Sequence, residues 1–380
     1  MGPVDSAPRP FMSDPYMIIS ENVEDFGLEF YGKNKQDNTG LKSEFENNEV
    51  CAKWSMKSFL SISPTPRSNH FSVYIPETEQ LIFGYGLDSN NKFLQDIWAY
   101  QLQSGKFSRI QIDNALLSPR SGTTAVYKDG VLYLFGGFHN KTYISDFHMI
   151  DLSKKYVFHS SSDNEPCPRT GHLMAICGSD ILIWGGYNGE WLNDAWIFNI
   201  ETMKWKQILC DLKGRISTSS CFHGDDLYIF GSAKSDSLIR FDFSTKQFFI
   251  VKTSGVEPPP DISGSSLVCI DDYLFLVGGK HKQSHSLLYA FDVNHKTWFV
   301  FPIMPDGVSL NIADGIVNRF GQFMTPSISY SSVFYYKPAK SIIVIYGAPI
   351  IDPPALFMID LSLALPIINS QRDVLRMLLF

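Results

Sequence analysis

The sequence predicts an all-β chain folded as a six-bladed β-propeller, and three observations support this prediction. A short apolar strand followed by a glycine turn, as in residues 181–186, recurs about every 50 residues. One strand signal precedes each of these strand-and-turn units, and two strand signals follow it. Together they make the four strands of one propeller blade. The last unit lacks its fourth strand, and this deficit predicts how the ring closes.

The first 48 residues are predicted to form an acidic and flexible N-terminal arm. Pro, Ser, Asp, Glu and Asn are mixed there without a sustained helix or strand period, and residues 21–49 are acidic. Such a composition favours a mobile segment. Two short apolar patches, residues 16–19 and 26–30, leave open that part of the arm docks on the domain.

The propeller is predicted over residues 49–362. Its complete repeats have Pro-Arg before the first strand, a glycine turn after the second, Asp before the third and an aromatic residue in the fourth. The first, second and third repeats carry this pattern most fully, and the fourth and sixth carry it least. The apolar strands before the six glycine turns are residues 81–83, 132–135, 181–184, 227–230, 273–277 and 342–346.

Ring closure is predicted from a strand that precedes the first repeat. Residues 50–57 contain Trp54 and resemble the fourth strands with Trp205 and Trp298, whereas the sixth repeat has no such strand after it. Unpaired sheet edges promote aggregation. Pairing this first strand with the incomplete sheet of the sixth repeat would remove both unpaired edges. We therefore expect residues 50–57 to be the outer strand of the sixth blade.

An insertion of residues 304–323 separates the fifth and sixth repeats. Insertions in repeat proteins fall in loops, often on the binding face. The sequence leaves open whether this one is a recognition loop or a tolerated addition. Its polar residues are Asp306, Asn311, Asp314, Asn318 and Arg319.

Residues 363–380 are predicted to form a C-terminal amphipathic helix with Leu375, Leu378 and Leu379 on one face. An apolar face of this kind needs a cover. It packs either on the propeller itself or against a second copy or another partner, and the sequence leaves both alternatives open.

Composition argues against several classes of function. The net charge is -7, from 32 Lys and Arg against 39 Asp and Glu. Binding to a phosphate backbone depends on clustered cations, so we do not expect a nucleic-acid partner. The sequence contains no apolar stretch of about 20 residues, so we expect no membrane span.

The cysteines and histidines indicate neither a metal nor a cofactor. The six cysteines are scattered, without a C-x-x-C pair, and no two histidines form an H-x-H or H-E-x-x-H pair. His281 and His285 are four positions apart, but we expect them on a loop, where a helix would be needed to align them. Scattered free thiols are typical of a reducing compartment. Because the N-terminus also lacks the features of a secretory signal, we expect a cytoplasmic protein, with the nucleus as the alternative.

One arginine and one acid recur in the repeats, separated by about 25 residues. A catalytic group is needed once, whereas a structural pair is needed in every blade, so we predict ion pairs that join blade to blade. The arginines are Arg67, Arg120, Arg169 and Arg215, and the acids are Asp96, Asp146, Asp194 and Asp236.

With its glycine turns, opening arginines and spaced tryptophans, the chain resembles kelch-repeat proteins over about residues 50–361. The resemblance implies a propeller that binds a protein or peptide with the loops around its central channel. In layout the chain is similar to leucine-zipper-like Ras regulators and to fungal polarity factors. This similarity implies a non-enzymatic adaptor or scaffold in signalling or cell polarity.

The resemblance also implies which residues contact the partner, namely the residue after the glycine pair and those after the opening arginine. In this sequence, the first set is Phe138, Tyr187 and Lys280, and the second is Ser68, Asn69, Ser121, Thr170 and Ser217. Trp191 joins them as a neighbour of Tyr187. A structural role stays open for each: the rings cover the glycine turns, and the hydroxyls cap strand ends.

The ligand is not expected to be an acidic peptide. Kelch domains that bind acidic peptides present arginine on this rim, where this chain has Asn69, Gly122 and Gly171. The alternative function is a kelch-type enzyme that acts on a sugar or small molecule at the channel mouth. That function needs converging ionisable groups, and the best such group in the sequence is Glu190 with Tyr187 and Trp191.

Overall fold

The structure is a computed structural model that describes residues 51–59, 61–112, 117–160, 164–232 and 238–370. The predicted N-terminal arm, residues 1–48, lies outside the described residues. In the described ranges the chain forms six antiparallel sheets of four strands, which are the blades of a propeller. Blades V and VI each gain a fifth, parallel strand at the outer edge.

The first strand, β1 (Ala52–Ser58), belongs to blade VI. Each of blades I to IV is built from consecutive strands. Blade I contains β2 (Phe71–Ile75), β3 (Gln80–Gly84), β4 (Ile97–Gln101) and β5 (Lys106–Arg109). Blade II contains β6 (Thr124–Lys128), β7 (Val131–Phe135), β10 (Phe147–Asp151) and β11 (Tyr156–Ser160), and its hairpin is β8 (Phe138–His139) with β9 (Thr142–Tyr143). Blade III contains β12 (Leu173–Cys177), β13 (Asp180–Trp184), β14 (Ala195–Asn199) and β15 (Lys204–Ile208). Blade IV contains β16 (Ser219–His223), β17 (Asp226–Phe230), β18 (Leu238–Asp242) and β19 (Gln247–Ile250).

Blades V and VI contain the remaining strands. Blade V contains β20 (Ser254–Gly255), β21 (Ser266–Ile270), β22 (Tyr273–Val277), β24 (Leu288–Asp292) and β25 (Thr297–Phe301), and β23 (His285–Ser286) lies in a loop of this blade. The insertion holds β26 (Ile303–Pro305), a 3-10 turn (Ile312–Asp314), β27 (Ile316–Val317) and β28 (Phe323–Pro326). Blade VI contains β29 (Ser332–Tyr336), β30 (Ser341–Ile345) and β31 (Ala355–Asp360), with a 3-10 turn (Lys337–Ala339), and is followed by helix α1 (Ala364–Ser370).

The core consists of six apolar clusters in the described part of the chain, one between each pair of adjacent blades. Each blade has apolar residues on both faces, so the second strands are almost entirely buried, as in β13 and β22. The sixth cluster joins Leu81 and Phe83 of blade I to Phe334 and Ile345 of blade VI. Burial on both faces explains why these strands have continuous rather than alternating apolar patterns.

The strand β1 pairs antiparallel with β31, with Trp54 opposite Ile359. It is therefore the strand of blade VI that the sequence predicts. Its observed bounds are Ala52–Ser58, whereas the prediction was residues 50–57. Trp54 stacks on Phe357 with ring centroids 5.8 Å apart. Blade VI is thus built from both ends of the propeller segment.

Backbone hydrogen bonds link each blade to the next around the ring. At each junction, an N–H group of the turn after the second strand donates to a carbonyl that precedes the first strand of the next blade. The six bonds are Gly86 to Arg120, Gly137 to Arg169, Gly186 to Arg215, Ser232 to Ile262, Gly279 to Ile328, and Gly347 to Arg67. The last bond joins blade VI to blade I, so the circle of bonds is complete.

The arginine side chains act within blades, which corrects the prediction of ion pairs between blades. Arg169 bonds Asp194 of the same blade at 2.7 Å, and Arg67 likewise bonds Asp96 at 2.7 Å. The junctions use the backbone carbonyls of the arginines instead, because their side chains turn back into their own repeat. The acid predicted for Arg215, Asp236, lies outside the described residues.

The insertion wraps the outer edge of blade VI. Its strand β26 runs parallel to β1, and β28 pairs with both β27 and β23. Leu310 and Phe323 are buried in the core. The Asp306 carboxylate accepts backbone N–H bonds from three following residues, and Asn311 with Asp314 forms a capping box. These polar residues therefore shape turns.

The described part of the C-terminal segment packs on the propeller. In α1, the residues Ala364, Leu365 and Ile368 are buried in the cluster between blades V and VI. The apolar face predicted at Leu375, Leu378 and Leu379 lies outside the described residues, so a contact there with a second copy or a partner stays a prediction. No helix in the described ranges combines the length and apolar content needed to cross a bilayer.

Candidate functional site

The candidate site lies on the loops that join the second and third strands of blades I, II and III. These inner loops are residues 85–96, 136–146 and 185–194. Each starts at a turn with positive φ, where the chain passes close to the segment before the first strand. Gly186, for example, has a φ of 98°, and a Cβ there would lie 2.9 Å from that of His172.

The structure pairs members of the two residue sets implied by the family resemblance. Ser121 and Phe138 exchange two backbone hydrogen bonds of 3.0 and 2.8 Å, and Thr170 and Tyr187 exchange two of 3.0 Å. Ser68 pairs in the same way with Leu87. Both residue sets therefore meet at the same end of the propeller.

The hydroxyl and amide side chains of the second set offer little surface to a partner. Ser68, Asn69, Ser121 and Thr170 are all buried, and Ser217 is partly buried. Asn69 and Ser217 adopt φ values of 54° and 53°. Their carbonyls accept N–H bonds from Gly122 and Gly264 of the following blades. The structure therefore gives Asn69 and Ser217 a role in joining the blades.

Six aromatic rings form a continuous row across the inner loops of blades I, II and III. We call this the aromatic row. Its successive centroid distances are 4.9 Å for His139 to Phe93, 6.3 Å for Phe93 to Phe138, 5.1 Å for Phe138 to Tyr143, 5.9 Å for Tyr143 to Tyr187, and 6.3 Å for Tyr187 to Trp191. Trp191 is 59% exposed, and the other rings are half-buried.

The sequence prediction found three of these six rings and missed Phe93, His139 and Tyr143. A repeat signal for two of them is present. Phe93, Tyr143 and Trp191 each lie three positions before the recurring acid of their repeat and just before an aliphatic residue. That aliphatic residue donates its N–H to a glycine carbonyl at the start of the loop, as Leu192 does to Gly186 at 3.0 Å. Aligning the repeats on the acid would have revealed this position.

Buried arginines hold the inner loops in place beneath the row. The guanidinium of Arg169 is fully buried and bonds both the Gly185 carbonyl, at 3.0 Å, and the Asp194 carboxylate. It therefore ties the start of the loop to its end. Trp196 donates a further bond of 2.7 Å to Asp194. Burial acts to raise the pKa of Asp194, but the hydrogen bonds and charge of Arg169 outweigh it and hold this pKa below its usual value.

Lys280 lies apart from the aromatic row. It is exposed on blade V and pairs through its backbone with Ser263. The neighbouring His281 contacts Asp261 at 3.1 Å. The structure therefore brings together Phe138, Tyr187 and Trp191 of the predicted site. Lys280 lies on a different blade of the propeller.

Two buried histidines beneath the inner loops serve the packing of the blades. Burial, followed by the charge of Arg67, lowers the pKa of His70 to about 3, and burial with Arg169 lowers that of His172 well below its usual value. Both rings reach across blade junctions, His70 to Ser332 and His172 to Thr124. Within the described ranges, no group of three or more His, Cys, Asp and Glu residues is arranged to hold a metal ion.

Comparison with known families agrees with this architecture. The model of the KLHDC2/KLHL20/DRC7 Kelch-repeats domain matches residues 21–232 and 160–310. These matches cover well over half of the chain, which therefore belongs to the kelch-repeat family that this model describes. Kelch-repeat domains generally act in protein interactions rather than in catalysis.

Several curated proteins are similar to this chain. The leucine-zipper-like transcriptional regulator 1 homolog of Drosophila melanogaster is 24% identical over 292 residues, which are 68% of this chain and 29% of that protein. Tip elongation aberrant protein 3 of Schizosaccharomyces pombe is 25% identical over 179 residues, 37% of this chain and 16% of that protein. Human Kelch domain-containing protein 1 is 25% identical over 256 residues, 56% of this chain and 63% of that protein. The chain thus aligns with less than two thirds of each relative.

Proposed function

We propose that this chain is a non-enzymatic adaptor or scaffold that binds a protein or peptide through the aromatic row. The observation that carries this proposal is the continuity of six rings across three blades, which ends in the exposed Trp191. Tyr, Trp and Phe are enriched at the centres of protein interfaces, where they supply large contact areas. Scattered single aromatics would not support the same conclusion.

Rigidity of the row adds to this support. Phe138 and Tyr187 are held by paired backbone hydrogen bonds, and the buried arginines fix the ends of their loops. A binding surface that is already ordered loses less conformational entropy when a partner arrives. The row is therefore suited to direct recognition without a large rearrangement.

Affinity capture with matched variants tests the proposal. The double variant Phe138→Ala with Tyr187→Ala removes the centre of the row, and we expect its specific partners to be lost. The control is Tyr156→Ala with Phe158→Ala, which removes two exposed and mutually contacting rings on the outer strand β11. Urea denaturation should first show that both double variants have the same unfolding midpoint as the wild type. Equal recovery of partners by the two double variants would then refute the proposed surface.

We further propose a role in signalling or cell polarity, in the cytoplasm with the nucleus as the alternative. The names of two relatives, a leucine-zipper-like transcriptional regulator homolog and a tip elongation protein, support this assignment. All six cysteines are free thiols, which agrees with a reducing compartment. Imaging of the tagged chain at its natural level tests the location, and a secreted protein would contradict it.

A further inference from the structure

The backbone beneath the aromatic row is already engaged in hydrogen bonds within the propeller. Phe138 pairs with Ser121 and, in the β8–β9 hairpin, with Tyr143. Tyr187 pairs with Thr170 and is also bridged to Trp191. A partner that binds by adding a strand needs a free sheet edge. The row instead presents side chains, so its partner must be recognised by rings and their polar atoms.

Neighbouring rings of the row do not stack face to face. The interplanar angle is 89° between Phe93 and His139, 74° between Tyr143 and Tyr187, and 77° between Tyr187 and Trp191, and the two contacts of Phe138 within the row are inclined by 55° and 50°. The row therefore presents ring edges as well as ring faces. An extended chain can contact such rings in turn, whereas an amphipathic helix needs a hydrophobic groove that can hold its diameter of about 10 Å.

The row also carries hydrogen-bond donors that the described chain does not use. Within the described residues, the hydroxyls of Tyr143 and Tyr187 and the indole N–H of Trp191 make no hydrogen bond. A phenol with its ordinary pKa of about 10 is already protonated at neutral pH, and burial raises the pKa of Tyr143 further. These donors are free to bond the acceptors of a ligand, such as backbone carbonyls that have no internal partner.

From these observations we infer that the partner presents a proline-rich segment in the polyproline II conformation, which lies along the aromatic row. Such a segment has no internal hydrogen bonds, and its carbonyls point outward to accept bonds from Tyr and Trp. Its prolines return to the same side about every 9 Å, which is longer than any single step between neighbouring ring centroids of the row, 4.9 to 6.3 Å, so successive prolines would meet different rings. The inference rests on the proposed function, because it assigns a ligand class to the same surface.

Peptide binding to the 380-residue chain tests the inference directly. The probe is a fluorescein-labelled peptide of repeated Pro-Pro-Leu triplets, and its matched control has alanine at every proline position. Binding is followed by fluorescence anisotropy. Of the seven tryptophans, all within the described ranges, only Trp191 is largely exposed. We therefore also expect the proline peptide to shift the tryptophan emission of the protein to shorter wavelength.

Variants assign the binding to the row. We expect Trp191→Ala to weaken binding of the proline peptide by at least about tenfold, and Tyr187→Phe to weaken it by a smaller factor through loss of one hydroxyl donor. Tyr156→Ala on the outer strand β11 should leave the affinity unchanged. We also expect the wild-type protein to bind the alanine peptide more weakly than the proline peptide.

Three outcomes would overturn the inference. These are equal affinity for the two peptides, an affinity for the proline peptide that Trp191→Ala leaves unchanged, and no binding of the proline peptide. If the row variants still abolish partner capture, then only the ligand class is wrong and the proposed function stands. If partner capture also survives those variants, then the proposed function itself is wrong.

Discussion

At the scale of single residues, buried arginines hold the inner loops of blades I, II and III in place. Arg67, Arg120 and Arg169 are 2% exposed or less, and each is bonded to a carboxylate and a turn carbonyl of its own repeat. Blades V and VI have Ile262 and Ile328 at the corresponding position, where each isoleucine carbonyl still accepts the junction bond. The backbone contact is thus required in every blade, whereas the ion pair is required only where a charge is buried.

We predict that Arg169→Ala lowers the free energy of unfolding by about 3–5 kcal/mol, because it leaves the partly buried Asp194 carboxylate without its charged partner. The matched control is Arg240→Ala, whose ion pair with Asp226 is about one third exposed on both sides. We expect that change to cost less than about 1 kcal/mol. Urea denaturation measures both values, and equal losses would contradict the structural role of Arg169.

At the scale of elements, the strand β1 decides whether the ring is closed. It supplies the fourth strand of blade VI and also the edge on which the insertion strand β26 pairs. Trp54 is its main apolar contribution and contacts both Phe357 and Phe323. One strand therefore connects the start of the propeller, its last blade and the insertion.

We predict that Trp54→Ala destabilises the protein by about 3–5 kcal/mol, because it leaves a cavity where three segments meet. Lys53→Ala is the control, since the Lys53 side chain lies on the exposed face of the same strand, and its loss should change stability by less than about 0.5 kcal/mol. Thermal and urea unfolding followed by circular dichroism give the comparison. A Trp54 variant as stable as wild type would mean that β1 does not hold the ring together.

At the scale of the whole molecule, the same circle of blades produces both stability and the candidate site. Six clusters between blades bury the apolar strands, and the inner loops of three adjacent blades then come close enough for their rings to touch. The contact from Phe93 to Phe138 crosses one blade junction, and that from Tyr143 to Tyr187 crosses the next. The aromatic row therefore exists only in the assembled propeller.

The overall charge of -7 leads to a further prediction at this scale. Binding to nucleic acid through phosphates requires clustered cations that release counterions. We therefore expect no band shift of duplex DNA by micromolar protein at about 50 mM salt. A shift that weakens steeply as salt is raised would reveal a cationic surface and contradict the expectation.

Local patterns that repeat along the chain were enough to predict the number of blades, the glycine turns and the strand that completes blade VI. The family resemblance added Phe138, Tyr187 and Trp191 as candidate contacts. The sequence did not show that these rings join Phe93, His139 and Tyr143 in one row, that Ser121 and Thr170 are buried, or that the arginines pair within blades. These outcomes depend on distances between residues about 25 to 50 positions apart, and such distances are set only when the strands of a blade pair and neighbouring blades pack against each other.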